Sequence, residues 1–202
     1  MSKASVKRSK QLSWLLRHGA IETGLEMDEA GCVDVADVLA ALDMTNDELL
    51  DTVATNDKGR LQLTGGRVRA CQGHSLAGVP VTQDALERTW QIITPTDSLW
   101  HGTNADAIAG IARHGITPGQ RTHVHLARQP DSHVGKRARV DLLLEVSPSL
   151  LGEASLTVFE APNGVILVRH VPPDCIVGVR PGIATGAENA GEALRTLRER
   201  NT

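Results

Sequence analysis

The chain has 202 residues, a formal net charge of −3 and four aromatic side chains, three Trp and one Phe. Such a length can bury a core in one domain or in two small ones. The small negative charge excludes a uniformly basic nucleic-acid coat, and so few aromatic residues argue against a broad stacking platform for single-stranded RNA. No apolar run is long enough to span a bilayer and no signal peptide is visible, so we expect a cytoplasmic protein without a membrane partner.

The charge is distributed unevenly along the chain. Residues 1–21 carry Lys and Arg but no acid, whereas residues 22–57 carry acids but no Lys or Arg. A local basic face can therefore meet a polyanion while the whole protein stays acidic, although such a segment is more often a solvated face. The three cysteines, Cys32, Cys71 and Cys175, have no CxxC spacing, which favours reduced, structural thiols.

The first part of the chain predicts three helices. An apolar helical stripe runs over residues 12–16, and Gly19 can stop this helix. Asp34 can cap a second helix, and Thr45 or Asn46 can cap a third.

A β-hairpin is predicted directly after these helices. Residues 60–63 and 67–71 alternate in polarity on either side of Gly65-Gly66, which favours a tight turn between two strands. Helices followed by a hairpin make a winged helix the economical fold for residues 1–72. Its wing would carry basic side chains, namely Arg60, Arg67 and Arg69, with Lys58 just before it.

A connector over residues 73–83 leads into a region of short strands and loops. Asn104 can cap a helix that ends before Gly115. The tail from Gly186 onward is expected to be a frayed surface helix. The apolar runs and turn signals predict strands at residues 98–101, 140–146 and 176–179, and a hairpin around Asn163-Gly164.

Arg and His side chains recur along the chain with almost no carboxylates beside them. Guanidinium groups bind phosphate oxygens in pairs, so a set of arginines with a histidine suits a polyanionic substrate. This pattern indicates phosphate chemistry without a carboxylate base. The segments concerned are Arg17-His18-Gly19, Arg60, Trp100-His101-Gly102-Thr103, His123-Val124-His125-Leu126 and Val134-Gly135-Lys136-Arg137.

Each of these segments also has a structural interpretation. Arg17 and His18 sit at the predicted end of a helix, where cations interact favourably with the helix dipole. His123 and His125 share one side of a strand and could bind zinc together with His133. No carboxylate or cysteine completes that set at motif spacing, so we expect no metal.

Taken in order, six segments resemble those of the NAD-dependent RNA 2′-phosphotransferases. The resemblance covers roughly residues 9–180. The six are Ser9–His18, Asn56–Arg60, Ala70–Ser75, Leu99–Thr103, the pair His123–Leu126 and Val134–Arg137, and Asn163–Leu167.

The resemblance implies an α+β architecture with two lobes. Residues 1–78 would form a winged-helix RNA lobe, residues 84–185 an ADP-ribosyltransferase-like lobe of mixed α/β structure that binds NAD, and residues 186–202 a tail. It also implies the reaction: a monomeric enzyme transfers an internal 2′-phosphate of RNA to NAD through an ADP-ribosylated intermediate. The products would be 2′-OH RNA, nicotinamide and ADP-ribose 1″,2″-cyclic phosphate.

The same resemblance assigns roles to individual residues. The arginines of the catalytic set would hold the 2′-phosphate, and its histidine would assist proton transfer in the second step. The catalytic set is Arg17, His18, Arg60 and Arg137. The residues lining the NAD site are Trp100, His101, Gly102, Thr103 and His125. The weaker candidates for RNA backbone contacts are Lys10, Lys58, Arg67, Arg69 and His74.

Three positions depart from the family pattern. Leu61 stands where Phe is usual, Trp100 replaces the Tyr of LYHGT, and Ala127 replaces the Ser of HLS. Trp100 keeps an aromatic wall, whereas Ala127 removes a hydroxyl that could touch NAD or phosphate.

Two alternative functions remain open from the sequence. One is an ADP-ribosyltransferase that modifies a protein or a nucleic-acid terminus and stops at that product. The other is a non-enzymatic winged-helix regulator whose second lobe senses a nucleotide.

Overall fold

The computed structural model describes residues 3–132, 134–135, 140–182 and 187–198. These residues form helices and mainly antiparallel strands, which confirms the α+β class. The chain forms two compact units. The first comprises Met1–Gln91, Gln120–Thr122 and Ala161–Asn163, and the second comprises Ile92–Gly119, His123–Glu160 and Gly164–Thr202. No helix among the described residues is long and apolar enough to cross a membrane.

The first unit is built from short helices and one three-stranded antiparallel sheet with strand order β1-β3-β2. Its core is formed mainly by leucines and valines, among them Leu12, Leu15, Leu16, Val33 and Val68. In chain order its elements are α1 (Lys3–Trp14), a π-helical turn (Leu15–Gly19), α2 (Ala20–Thr23), β1 (Cys32–Asp34), α3 (Val35–Leu42), α4 (Asn46–Ala54), β2 (Leu61–Thr64), β3 (Arg67–Ala70) and α5 (Gln83–Glu87).

Two local predictions in this unit are confirmed. Thr45 caps α4 in a reciprocal capping box with Glu48, each side chain accepting from the other's backbone amide. The β2–β3 hairpin turns at Gly65 and Gly66, whose φ values of 59° and 77° are the left-handed values that such a turn requires.

The first helix differs from its prediction at the C-terminal end. Gly19 does not stop it, because the backbone continues through the π-helical turn into α2 and ends at Gly24, which has φ 66°. Gly19 is needed for space, since a Cβ there would lie 2.5 Å from a ring carbon of Trp14. Asp34 does precede α3, but its side chain makes no cap hydrogen bond and pairs with Arg67.

The second unit contains two antiparallel sheets, with strand orders β10-β7-β5 and β4-β8-β9-β6. The strand expected at 140–146 is β7, which is central and largely buried, and β8 and β9 form the expected hairpin. The elements are β4 (Gln91–Ile93, beginning on the last residue of the first unit), β5 (Leu99–Thr103), a 3-10 turn (Ala105–Ala107), α6 (Ile108–His114), β6 (Val124–Leu126), β7 (Leu142–Val146), α7 (Pro148–Glu153), β8 (Val158–Glu160), β9 (Ile166–Val168), a 3-10 turn (Pro173–Cys175), β10 (Ile176–Pro181) and α8 (Ala187–Arg198).

The prediction of a frayed surface helix for the tail is wrong. Ala190, Ala193 and Leu197 of α8 are buried in the main core of the second unit. Their spacing of three and four residues places them on one helix face, so small apolar side chains as well as leucine carry the packing.

Candidate functional site

The π-helical turn at the end of α1 presents Arg17 and His18. Its neighbours Leu15, Leu16 and Gly19 are buried, which fixes the turn on the core of the first unit. Arg17 is half-buried and His18 is exposed. A π-helical turn widens the hydrogen-bonding ring by one residue, and such turns occur frequently at functional sites.

A loop formed by residues 74–78 holds this turn in place. The backbone amide and the hydroxyl of Ser75 both donate to the carbonyl oxygen of Arg17, at 2.9 and 3.2 Å. Gly78 passes so close to His18 that a Cβ there would lie 2.0 Å from the His18 carbonyl oxygen. The loop therefore fixes the backbone from which both functional side chains project.

The same loop brings Arg121 to this turn. Ser75 forms an antiparallel bridge with Arg121, and Leu76 donates its amide to the carbonyl of Gln120 at 3.2 Å. Arg121 is exposed and interacts electrostatically with both Arg17 and His18. Arg121 is not among the site residues predicted from the sequence. The only signal available was its position two residues before His123, which is the first residue of the fifth segment of the resemblance.

Arg60 is positioned by backbone contacts at the start of β2. Its amide donates to the side-chain oxygen of Asn56 at 2.9 Å, and its carbonyl accepts from the amide of Cys71 at 2.8 Å. Asn163 supports the preceding residues by donating its side-chain amide to the carbonyl of Lys58 at 2.9 Å. Asn163, predicted from the sequence as a turn residue and as part of the sixth segment, therefore also orders the Arg60 loop.

Together these residues form a cationic cluster, Arg17, His18, Arg60 and Arg121. Nε and Nη2 of Arg17 are shielded from solvent and have no hydrogen-bond partner among the described residues. Burial, followed by the charges of Arg60 and Arg121, lowers the pKa of Arg17 from 12.5 to about 10. Arg17 still carries its charge at neutral pH, since neutral pH lies far below a pKa of about 10. The cluster therefore favours an incoming anion.

His18 responds to the same surroundings. Desolvation, followed by the charges of Arg17 and Arg121, lowers the pKa of its imidazole. Lowering a histidine pKa from 6.5 favours the neutral ring at neutral pH, in which one nitrogen can accept a proton. A neutral imidazole at His18 can therefore accept a proton, which a permanently charged side chain could not.

Three of the residues predicted to contact RNA have other partners. Arg67 pairs with Asp28 at 2.8 Å and Asp34 at 3.2 Å, and Arg69 is buried with its Nε donating to Gln62. His74 is fully buried, and a Cβ on Gly31 would lie 2.7 Å from its Nε2. We therefore interpret Arg69 and His74 as structural residues. The charge of Arg67 is neutralised by its ion pairs with Asp28 and Asp34.

The two lysines on the predicted RNA surface remain available to solvent. Lys10 is exposed on α1, and Lys58 is half-buried before the Arg60 loop. Their proposed contacts with the RNA backbone stay predictions.

In the second unit, β5 carries the residues expected to bind NAD. Trp100 is buried, and the guanidinium of Arg180 lies 4.4 Å from the centre of its ring. Thr103 is buried at the end of the strand, where its carbonyl accepts from the amide of Asp141. His101 contacts the carbonyl of His125 through Nδ1, at 3.1 Å.

The outer edge of β5 offers a backbone donor and acceptor at Gly102. The amide and carbonyl of Trp100 exchange hydrogen bonds with Ala127, at 2.9 and 2.8 Å, on the side away from β7. Because backbone groups alternate along a strand, those of Gly102 point to the same edge. Within the part of the chain that the structure describes, neither group has a hydrogen-bond partner. A planar carboxamide has the matching acceptor and donor.

Other predicted residues remain to be placed. Arg137 and His133 lie outside the described residues. His123 is buried and packs edge-on against Phe159, with ring centres 6.4 Å apart. Over the ranges that the structure describes, no group of three or more His, Cys, Asp or Glu side chains could hold a metal ion.

Known proteins similar to this chain belong to one family. The family described as RNA 2′-phosphotransferase, Tpt1 / KptA family, matches residues 3–170. Proteins described as probable RNA 2′-phosphotransferases are 38% identical in Burkholderia lata, over 82% of this chain and 87% of theirs, and 36% identical in Streptomyces coelicolor, over 83% and 92%. One from Pyrococcus furiosus is 33% identical, over 84% and 93%. The chain therefore belongs to the RNA 2′-phosphotransferase, Tpt1 / KptA family.

Proposed function

We propose that this protein removes an internal 2′-phosphate from RNA by transferring it to NAD. The products would be 2′-OH RNA, nicotinamide and ADP-ribose 1″,2″-cyclic phosphate. The observation that carries the proposal is that Nε and Nη2 of Arg17 are shielded from solvent without a hydrogen-bond partner among the described residues, near the charges of Arg60 and Arg121. Such an arrangement costs folding free energy unless an anion occupies it, which suits a phosphate-binding site.

The first step needs alignment rather than a base. A phosphate monoester is mostly dianionic at neutral pH, so its oxygen can attack the anomeric carbon of the nicotinamide riboside directly. The carbon–nitrogen bond breaks, its electron pair leaves with nicotinamide, and a phosphodiester forms between RNA and ADP-ribose. Arg17, Arg60 and Arg121 would neutralise the phosphate and hold it in line. No carboxylate interacts with Arg17 or His18 among the described residues, and none is needed.

The second step moves a proton. The ribose 2″-hydroxyl attacks phosphorus, the bond from phosphorus to the RNA 2′-oxygen breaks, and that oxygen gains a proton. His18 would accept the proton of the attacking hydroxyl, because its lowered pKa keeps the ring neutral. The arginines would stabilise charge on the equatorial phosphate oxygens. By resemblance, Arg137 would join them.

The second unit suits the co-substrate at β5. The amide and carbonyl of Gly102, which have no partner among the described residues, would pair with the nicotinamide carboxamide, next to His101 and Thr103. Trp100 would supply an aromatic wall. We interpret the first unit as a winged-helix RNA lobe and the second as an ADP-ribosyltransferase-like lobe. A monomer that acts without metal in the cytoplasm is expected, with turnover undiminished in EDTA.

The test is incubation of the purified protein with NAD and an RNA oligonucleotide that carries one internal 2′-phosphate. We expect nicotinamide, dephosphorylated RNA and the cyclic phosphate in equal amounts. His18→Ala should let ADP-ribosylated RNA accumulate, visible as a slower band on a denaturing gel. RNA that stops at this adduct with the wild-type protein would favour an ADP-ribosyltransferase instead. Absence of nicotinamide release would overturn both assignments.

A further inference from the structure

One aromatic side chain of the protein faces solvent. Trp14 is 42% exposed, whereas Trp90, Trp100 and Phe159 are 7%, 4% and 5% exposed. These four are all the Trp, Phe and Tyr residues in the chain, and all lie in described segments. Three of them are buried and contribute to packing. Packing does not account for the exposed part of the Trp14 ring.

The exposed indole directly precedes the turn that carries two residues of the cationic cluster, Arg17 and His18. Trp14 is followed by the π-helical turn Leu15–Gly19, which carries Arg17 and His18, and in a π-helix backbone bonding spans five residues, the separation of Trp14 and Gly19. The six-membered ring of Trp14 lies over Gly19, where a Cβ would be only 2.5 Å from it. Because Gly19 has no side chain, the indole can pack against its backbone, at the residue that follows His18.

The surroundings indicate what covers this ring. Arg17, Arg60 and Arg121 concentrate positive charge in the same unit, and two shielded donors of Arg17 have no hydrogen-bond partner within the described ranges. A ligand that brings negative charge to the cluster and a flat apolar surface to the indole satisfies both features. A nucleotide of RNA has both parts, since every base has a π-face that stacks on an aromatic side chain.

We propose that Trp14 is the stacking surface for one RNA base that lies within one nucleotide of the 2′-phosphate. This inference rests on the proposed function and adds to it a subsite for the substrate base. Stacking accepts any base, so the subsite would select polynucleotides over small phosphate esters without reading sequence. Trp14 would bind and orient the RNA and take no part in the chemical steps.

The test compares Trp14→Leu, which keeps apolar bulk, with Trp14→Phe, which keeps an aromatic face. Base–aromatic stacking predicts a roughly 5- to 150-fold loss of kcat/KM for RNA in Trp14→Leu, a smaller loss in Trp14→Phe and an unchanged KM for NAD. Leu50→Ala, at another apolar side chain that is 43% exposed in the first unit, is the matched control and should change none of these values.

A substrate series separates stacking from support of the fold. Three RNAs would each lack one base, either that of the 2′-phosphorylated nucleotide or that of one neighbour. For one of them, wild-type kcat/KM should fall to the level of Trp14→Leu, and the substitution should then cost nothing further. A Trp14→Leu penalty of equal size on the intact RNA and all three abasic RNAs, or no penalty at all, overturns the stacking proposal alone. A wild-type protein that releases no nicotinamide overturns the proposed function and this inference with it.

Discussion

Two sets of arginines in the first unit have opposite surroundings. Arg67 and Arg69 are bound to Asp28, Asp34 and Gln62. In the cationic cluster, Arg17 interacts electrostatically with Arg60 and Arg121, and two of its donors have no hydrogen-bond partner in the part of the chain that the structure describes. The fold pairs the charge of Arg67 and binds a donor of Arg69, whereas the shielded donors of Arg17 can serve a ligand.

This difference indicates how a site for a polyanion is maintained. Like charges held together and partly desolvated raise the free energy of the folded state, which the rest of the unit must offset. Bound phosphate would remove that cost, so relief of the repulsion between the arginines would add to the free energy of phosphate binding. Paired arginines cost little, but they must break existing bonds before they can bind anything.

The largest expected difference between the two sets is in activity. Arg60→Ala should lower RNA turnover about 10- to 150-fold or more, because a charged hydrogen bond to phosphate is lost in both steps. NAD binding should be unchanged, since Arg60 lies in the first unit. Arg67→Ala is the matched control and should stay within about threefold of wild type, since its guanidinium is neutralised. Steady-state rates with 2′-phosphorylated RNA measure both, and equal losses in the two variants would contradict the comparison.

The second difference is in stability. Arg17→Met should raise the free energy of unfolding by about 1–2 kcal/mol at pH 7, after allowance for solvent screening. The sign follows from a folded-state pKa lowered to about 10, which means that protonated Arg17 opposes folding at every pH below that value. Urea unfolding at pH 7 tests this. Arg67→Met should instead destabilise slightly, by up to about 1 kcal/mol, because it removes ion pairs.

Anions should act on the cluster of the free protein. Pyrophosphate at ten times its dissociation constant should stabilise the wild type by about 1.4 kcal/mol, seen as an upward shift of Tm. The shift should persist in Arg67→Met and be lost in Arg17→Met. Sodium chloride at equal ionic strength is the control for general screening. A pyrophosphate shift that survives Arg17→Met would place anion binding elsewhere.

The smallest effect concerns pH. The folded-state pKa of His18 is lowered, so the unfolded chain binds more protons there. Stability should therefore fall as pH decreases from the unfolded value of about 6.5 through the folded pKa, and level off below it. His18→Asn should flatten this part of the profile in urea titrations between pH 8 and pH 5. Coinciding profiles of the wild type and His18→Asn would contradict this assignment.

Local chemistry made part of the fold predictable from the sequence. Gly65-Gly66 supplies the left-handed backbone that the hairpin needs, and Thr45 with Glu48 supplies the capping box. The apolar run at residues 140–146 was by itself enough to predict the buried strand β7. Arg17, His18 and Arg60 were found because their neighbours in sequence resemble a family.

Only the tertiary structure decided which arginines are neutralised and which remain available. Arg67 meets Asp28, and Arg121 reaches Arg17 and His18 through the loop at Ser75, by contacts between distant parts of the chain. Full burial of His74 and the packing of α8 through Ala190 and Ala193 depend on such contacts as well. Turn and cap signals act over a few residues and can be read locally, whereas burial and ion pairing depend on which segments meet in the folded chain.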